Sequence, residues 1–257
     1  MSFSKLWAKK KDNNGILKWL PLDMHLEDTK NVIGRLWNYW LSDGQRREIA
    51  KSMNCSEDES YDVVSFIGAV HDIGKATPAF QTQKGFANSL DLDQILLEKL
   101  ELEGFQGIKE ILLTDRNKSH HTVAGEAILD NLGVKKDIGS IVGAHHGKPV
   151  DEVNNYECQE KAYTANLYQN ENQNSILYKK WKDVQKEILD WALVSTGVGS
   201  VNGLPEIAQP GQVIISGLLI MADWIASNEH FFPLLDIDKE SVVSDSKIVE
   251  DRLDMGW

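Results

Sequence analysis

Apolar residues along this chain recur at steps of three and four, the spacing that gathers them onto one face of an α-helix. Between residues 25 and 41, Val32, Ile33, Leu36, Trp37, Trp40 and Leu41 mark such a face, and Val63, Phe66, Ile67 and Val70 repeat it in a run that carries on to Gly74. The same spacing predicts helices over 92–102, 121–132, 136–145, 176–194 and 212–227. Glycine and proline stand between them, at Gly74, Pro78, Gly104, Gly107, Gly133 and Gly147-Lys148-Pro149, and each ends or separates a helix. Sustained period-two alternation is absent, so the expected fold is all-α. Trp37, Trp40 and Trp224 fall at core spacing and are expected inside, which leaves Trp7 and Trp19 as candidates for contact with a partner or a nucleic-acid strand.

Two stretches lack the pattern. Residues 150–175 are rich in Asn, Gln and Glu without an apolar period, which predicts a solvated insertion; a substrate-guiding lid is the alternative, because long loops so often carry function. After Leu235 the chain turns charged and weakly apolar. The expected organisation is one domain over 1–235 and a charged linker or tail over 236–257.

Composition changes this picture in a few places. A chain of 257 residues with 42% hydrophobic content can bury a sizeable core. Cys55 and Cys158 are far apart and form no C-x-x-C, so neither a disulfide framework nor a cysteine zinc site is expected, and a reducing cytoplasm fits. The early lysines are followed by no apolar signal core, and the apolar run 213–222 is too short for a bilayer before Asp223 interrupts it, so no membrane partner is expected. A net charge of −12 works against binding nucleic acid, which rests on Lys and Arg; bound divalent cations or a partner domain would have to offset it. Gly143-Ala144-His145-His146-Gly147-Lys148-Pro149 is no nucleotide-binding loop, because its glycines are too close and Pro149 stands where Ser or Thr is needed.

Six of the seven histidines fall at four places: His25, His71, His120-His121 and His145-His146. Asp72 and Asp223 lie in apolar runs, where an ionised carboxylate is costly unless a cation or a hydrogen-bond network compensates it. Any one histidine on an apolar face is most simply a hydrogen-bonded core residue. Two such carboxylates together with the His145-His146 doublet point instead to a polynuclear metal centre assembled from distant helices.

The ordered set His25, His71-Asp72, His121, His145-His146 and Asp223 resembles the HD superfamily of metal-dependent phosphohydrolases. Leu6-Trp7-Ala8-Lys9, Leu20-Pro21-Leu22 and Asp223-Trp224-Ile225-Ala226-Ser227-Asn228 resemble, more narrowly, the HD nuclease domain of the CRISPR-associated nuclease-helicases of type I CRISPR systems. That resemblance runs over nearly the whole chain. It implies two divalent transition metals bridged by Asp72, one completed by His25, His71 and Asp223 and the other by His121, His145 and His146. His121 is matched in preference to His120 because Thr122-Val123-Ala124-Gly125 follows it; His120 is then a substrate-facing or supporting residue. Lys75 is implied to contact the scissile phosphate, against the plainer reading of a solvated lysine favouring a helix C-terminus after Gly74 ends the helix. Ser227, four residues after Asp223, shares its helix face and could bond a phosphate oxygen.

A histidine-rich set favours Mn, Fe, Co or Ni over Mg, with zinc expected to bind and inhibit. The implied activity is hydrolysis of phosphodiesters in single-stranded DNA by a metal-activated water. The implied partners are an ATP-driven helicase, fused or separate, toward which the tail would lead, and an RNA-guided CRISPR surveillance complex. Two rivals use the same residues. One is an HD phosphohydrolase acting on nucleotides or cyclic dinucleotides, which suits the acidic charge better; the other is a non-catalytic recruitment module stabilised by metal.

Overall fold

In the computed structural model, which describes residues 2–84, 90–150 and 158–237, a β-hairpin opens the chain. Strands β1 (Trp7–Asn13) and β2 (Ile16–Pro21) pair antiparallel across Asn14 and Gly15, whose φ angles are 54° and 87°. Asn-Gly is the dipeptide that accepts a turn with two positive φ angles. A short strand, β3 (Leu235–Asp236), adds to β2 opposite Trp19 and Lys18. The body of the protein is helical, as the apolar spacing predicts. The small sheet escapes that reading because Lys9, Lys10 and Lys11 run together and abolish alternation.

The helices are α1 (Leu22–Tyr39), α2 (Asp43–Met53), α3 (Glu57–Val70), α4 (Pro78–Gln81), α5 (Leu90–Leu102), α6 (His121–Asn131), α7 (Lys136–Gly143), α8 (Gln159–Ala162), α9 (Thr164–Tyr168), α10 (Ile176–Ser195) and α11 (Gln209–Ala226). Reciprocal capping boxes start two of them, Ser42 with Gln45 for α2 and Ser56 with Glu59 for α3, each satisfying backbone donors that a helix start leaves unpaired. α2 has no apolar stripe, since only Ile49, Ala50 and Met53 are buried, and its capping box is the signal that finds it. α1 packs against both α3 and α11, and Leu26, Ile33, Phe66, Ile67 and Leu219 fill the space among them. A second cluster of Trp7, Trp19, Phe80, Leu92, Leu96 and Ile237 fastens the sheet to α4 and α5. Among the described residues no helix is long and apolar enough to cross a membrane.

Several expectations need correction. Trp37 is buried, but Trp40 and Trp224 are 56% and 68% exposed. Trp40 follows the last turn of α1, where helical periodicity no longer directs a side chain, and Trp224 lies one step, about 100°, around α11 from buried Asp223. Trp7 and Trp19 are both buried, so neither presents a face to a partner. In the stretch read as a solvated insertion, 151–157 lie outside the described residues, but α8 and α9 bury Gln159, Asn166, Leu167 and Tyr168. Gln159 and Asn166 meet the Ser119 hydroxyl at 2.7 and 2.9 Å, so polar side chains that satisfy one another conceal this burial from a hydropathy pattern. The boundary expected after residue 235 falls inside β3, and 238–257 lie outside the described residues.

Candidate metal centre

α3 ends at Val70, with His71 as its C-cap, rather than running on to Gly74. The chain then leaves the helix at Asp72 (φ −108°, ψ 22°) into a single 3₁₀ turn, Ile73–Lys75. A Cβ on Gly74 would stand 1.9 Å from the His121 carbonyl oxygen and 2.6 Å from the Gly125 nitrogen. Glycine is therefore required for the turn to press against the first turn of α6, and that close approach brings Asp72 to His121. His25 comes from the first turn of α1, Asp223 from the end of α11, and His145-His146 from the turn that follows α7.

The side chains gather into two groups, each with ligand-type atoms all within 4.8 Å of one another: His25, His71, Asp72 and Asp223, and His121, His145 and His146. Asp72 stands between them. Its Oδ2 lies 2.9 Å from His25 Nε2, 3.3 Å from His71 Nε2 and 2.6 Å from Lys75 Nζ, while its Oδ1 lies 3.5 Å from both His121 Nε2 and His145 Nε2. Asp223 Oδ1 sits 3.5 Å from the Nε2 atoms of His25 and His71. All seven residues expected at the centre are thus brought together.

Local hydrogen bonds aim the imidazoles. His71 Nδ1 donates to the Gly68 carbonyl at 2.9 Å and His145 Nδ1 to the Val142 carbonyl at 2.6 Å. A carbonyl only accepts, so both Nδ1 atoms carry hydrogen and each Nε2 is the nitrogen turned to the centre. Among the described residues, buried His71 Nε2, His145 Nε2, Asp72 Oδ1 and His25 Nδ1 have no hydrogen-bond partner. His121 Nε2 and His146 Nε2 face each other at 2.8 Å, a contact that needs a proton or a cation between them. Of the unpartnered atoms, His71 Nε2, His145 Nε2 and Asp72 Oδ1 turn toward one point, and imidazole nitrogen with carboxylate oxygen is the ligand set that fits divalent transition metals.

The charges agree. Burial works against protonating His71, but the Asp72 and Asp223 carboxylates push it up to about 9. Burial would raise both carboxylates, yet Lys75 and His71 hold Asp72, and His25 and His71 hold Asp223, well below the usual range. Burial and the Lys75 ammonium lower His25, while burial takes His121 well below the ordinary histidine value and lowers His146. Two cations, protonated His71 and Lys75, balance two buried carboxylates in the metal-free protein.

The neighbours expected to meet substrate are placed as follows. Lys75 is buried, with its ammonium on Asp72. His120 is exposed at the rim, its ring 4.2 Å from that of His121 and its Nδ1 3.0 Å from the Thr122 hydroxyl. Ser227 shares the face of Asp223 and donates to Asp223 Oδ1 at 3.0 Å, so its hydroxyl orients a carboxylate. Gln81 was not foreseen. Fully buried, its amide accepts from Trp7 N at 3.1 Å and donates to Trp7 O and Lys75 O, both at 2.9 Å, which ties β1 to the turn behind Asp72. Nothing in the sequence separates it from nearby solvated glutamines.

The chain as a whole is similar to known proteins. The family described as Cas3, HD domain, matches residues 7–232. The CRISPR-associated nuclease/helicase Cas3 of Streptococcus thermophilus is 55% identical over 247 residues, which cover 95% of this chain and 27% of that protein. The chain thus spans about a quarter of the length of that relative. A chain of a CRISPR RNA-guided surveillance complex, pre-nicking, matches with TM-score 0.60 and 25% identity over 88% of this chain and 25% of that one. The Thermus thermophilus Cas3 HD domain, solved in the presence of Ni2+, matches with TM-score 0.57 and 20% identity over 98% of this chain and 90% of that one. With the match extending from β1 to beyond α11, this chain belongs to the Cas3 HD-domain family.

Proposed function

We propose that this chain is a metal-dependent phosphodiesterase that cuts single-stranded DNA at a two-metal centre. The observation that carries the reading is the division of Asp72: one oxygen faces His25 and His71, the other His121 and His145. His25, His71 and Asp223 would hold one metal, His121, His145 and His146 the other, with Asp72 shared, and the metals would supply Lewis acidity and a water acidic enough to attack at neutral pH. Mn, Fe, Co or Ni suits these donors better than Mg, which prefers oxygen. The residues of the chain do the rest. Ser227 orients Asp223, Gly68 and Val142 carbonyls orient His71 and His145, and the turn at Gly74 holds Asp72 between the two groups. Lys75 sets a positive charge against the centre, and His120 stands at its exposed edge where a strand would arrive.

An unpaired strand can bend a phosphate into a recess that a duplex cannot enter, so duplex cutting requires a helicase. The nuclease/helicase relative supports a helicase as fused or separate partner, and the surveillance-complex match supports recruitment by an RNA-guided assembly. The test is incubation of the purified chain with Mn, Co or Ni and, in parallel, single-stranded DNA, duplex DNA and free nucleotides. Cleavage of the single strand with little action on duplex is expected. Efficient hydrolysis of nucleotides with the strand untouched would replace this reading by a nucleotide phosphohydrolase, and metal binding with no hydrolysis by a recruitment module.

A further inference from the structure

β1 carries three consecutive lysines with different fates. Lys10 pairs with Asp93 at 2.7 Å and Lys11 with Glu229 at 2.7 Å. Lys9 is half-buried, and its ammonium makes no ion pair or hydrogen bond among the described residues. Side chains alternate across a strand, so Lys9 shares a face with Lys11 and not with Lys10. Lys11 reaches Glu229, two residues beyond Ser227, which turns that face toward the end of α11 where Asp223 and Ser227 stand. The charges that act on Lys9 bear this out. Burial and Lys75 push its ammonium down to about 8, and Asp223, Asp72 and Glu229 act in the opposite direction.

Its placement is fixed, not incidental. The buried Gln81 amide that holds the Trp7 backbone also holds the Lys75 carbonyl, so one side chain sets the spacing between β1 and the turn behind Asp72. A half-buried ammonium that feels a second ammonium is unfavourable unless an anion completes it, and the carboxylates that act on it, Asp72, Asp223 and Glu229, are already engaged by Lys75, His25, His71 and Lys11. Among the described residues none of these carboxylates is left to complete it, which leaves a place for an anion from outside the chain.

We propose that Lys9 is a phosphate-contact residue, which takes a non-bridging oxygen of the bound strand on the β1 side of the centre, next to Lys75. The proposal rests on the nuclease reading above. In a chain of net charge −12 such a contact is needed to draw a polyanion to this one face.

The experiment compares the full chain with Lys9→Met, which keeps the aliphatic stem, and Lys9→Arg, which keeps the charge. Affinity for a cleavage-resistant phosphorothioate oligothymidine is measured with Mn across a salt series, beside Mn affinity without DNA, cleavage of the ordinary strand and circular dichroism. Lys9→Met should bind several-fold more weakly at low salt, with a log–log salt slope smaller by about 0.7, the value of one lost single-strand phosphate contact. KM should rise more than kcat falls, Mn affinity and helicity should stay unchanged, and Lys9→Arg should restore binding and slope. If the wild type cuts the strand while Lys9→Met keeps its affinity and slope, the proposal is wrong and the nuclease reading survives. If Lys9→Met loses Mn affinity in proportion to DNA affinity, Lys9 supports the metal centre and the phosphate contact is likewise excluded. A wild type that neither binds nor cuts the strand with any metal removes the nuclease reading and this proposal together.

Discussion

Of the two donor groups that meet at Asp72, the inner one is buried at all four members, whereas the rim one runs from buried His145 to exposed His146. The inner group holds both carboxylates and a histidine raised to about 9, and it balances its charge with Lys75. The rim group consists of imidazoles alone and shares a carboxylate only through Asp72 Oδ1. The difference in burial and charge predicts different tasks for the two groups. Under the two-metal reading proposed above, a buried, carboxylate-rich group would hold its metal tightly and displace a proton on binding it. An imidazole group open at one edge would hold a more exchangeable metal and leave room for substrate, the arrangement expected where chemistry needs an open position.

The largest effect should come from the residue the groups share. Asp72→Ala is expected to bring strand cleavage to background and to lower metal content at both positions, measured by elemental analysis after gel filtration. Helicity by circular dichroism should persist, because α1, α3 and α11 are joined by an apolar core away from the centre. An Asp72→Ala protein that keeps two bound metals and wild-type cleavage would end the two-group comparison. Single-group lesions sharpen it. His25→Ala should weaken the inner metal and His146→Ala the rim metal, each by at least about tenfold in a calorimetric titration, since each removes a donor outright. Equal weakening of both positions in both variants would mean that the groups act as one site.

How far these residues could be read from the sequence depends on what each is next to. The helices that deliver ligands, α1, α3, α6, α7 and α11, carry continuous apolar faces, so Asp72 and Asp223 stand out as carboxylates where burial is unavoidable. The adjacency of His145 and His146 and the glycine after Asp72 are likewise visible. The division of the Asp72 oxygens is not, because it follows from a backbone contact between Gly74 and His121 that are 47 positions apart. The hairpin had a local signal in Asn14-Gly15, outweighed by the missing alternation at Lys9 to Lys11. Trp7 and Trp224 exchanged their expected places for a simple reason: one is covered by Phe80, whose ring centre lies 4.3 Å away, and the other is the neighbour, not the helical repeat, of a buried residue.

The groups should also differ in their response to pH, with a smaller effect than loss of a ligand. His71 is protonated up to about 9 in the metal-free protein, so inner-metal binding at pH 7 releases a proton, and inner affinity should rise by up to about tenfold per pH unit until that value is passed. His121 and His146 are lowered, so they are already neutral at pH 7 and rim affinity should be nearly flat from pH 7 to 9. Calorimetry in two buffers of different ionisation enthalpy counts the protons. About one proton for the inner metal and none for the rim metal is expected, and the reverse order would exchange the roles assigned to the two groups.

The smallest effect tests the scaffold of the rim group alone. Glu126 on α6 is buried against α7, its Oε2 has no hydrogen-bond partner among the described residues, and burial pushes its carboxyl up to about 7 from an ordinary 4.5. Because the folded value is raised, the folded protein binds the proton more tightly than the unfolded chain between those two pH values, and stability is lost as pH rises through that window, with the full penalty present above about 7. Glu126→Gln removes the charge and keeps the shape. It should therefore stabilise the protein by ~1–2 kcal/mol at pH 8 and leave it nearly unchanged at pH 4.5, as read by denaturant unfolding at the two pH values. Inner-metal affinity should not move, since Glu126 lies between α6 and α7 and belongs to neither donor group. A destabilised Glu126→Gln at pH 8 would mean that the ionised carboxylate is compensated there, and the rim scaffold would then hold a charge of its own as the inner group does.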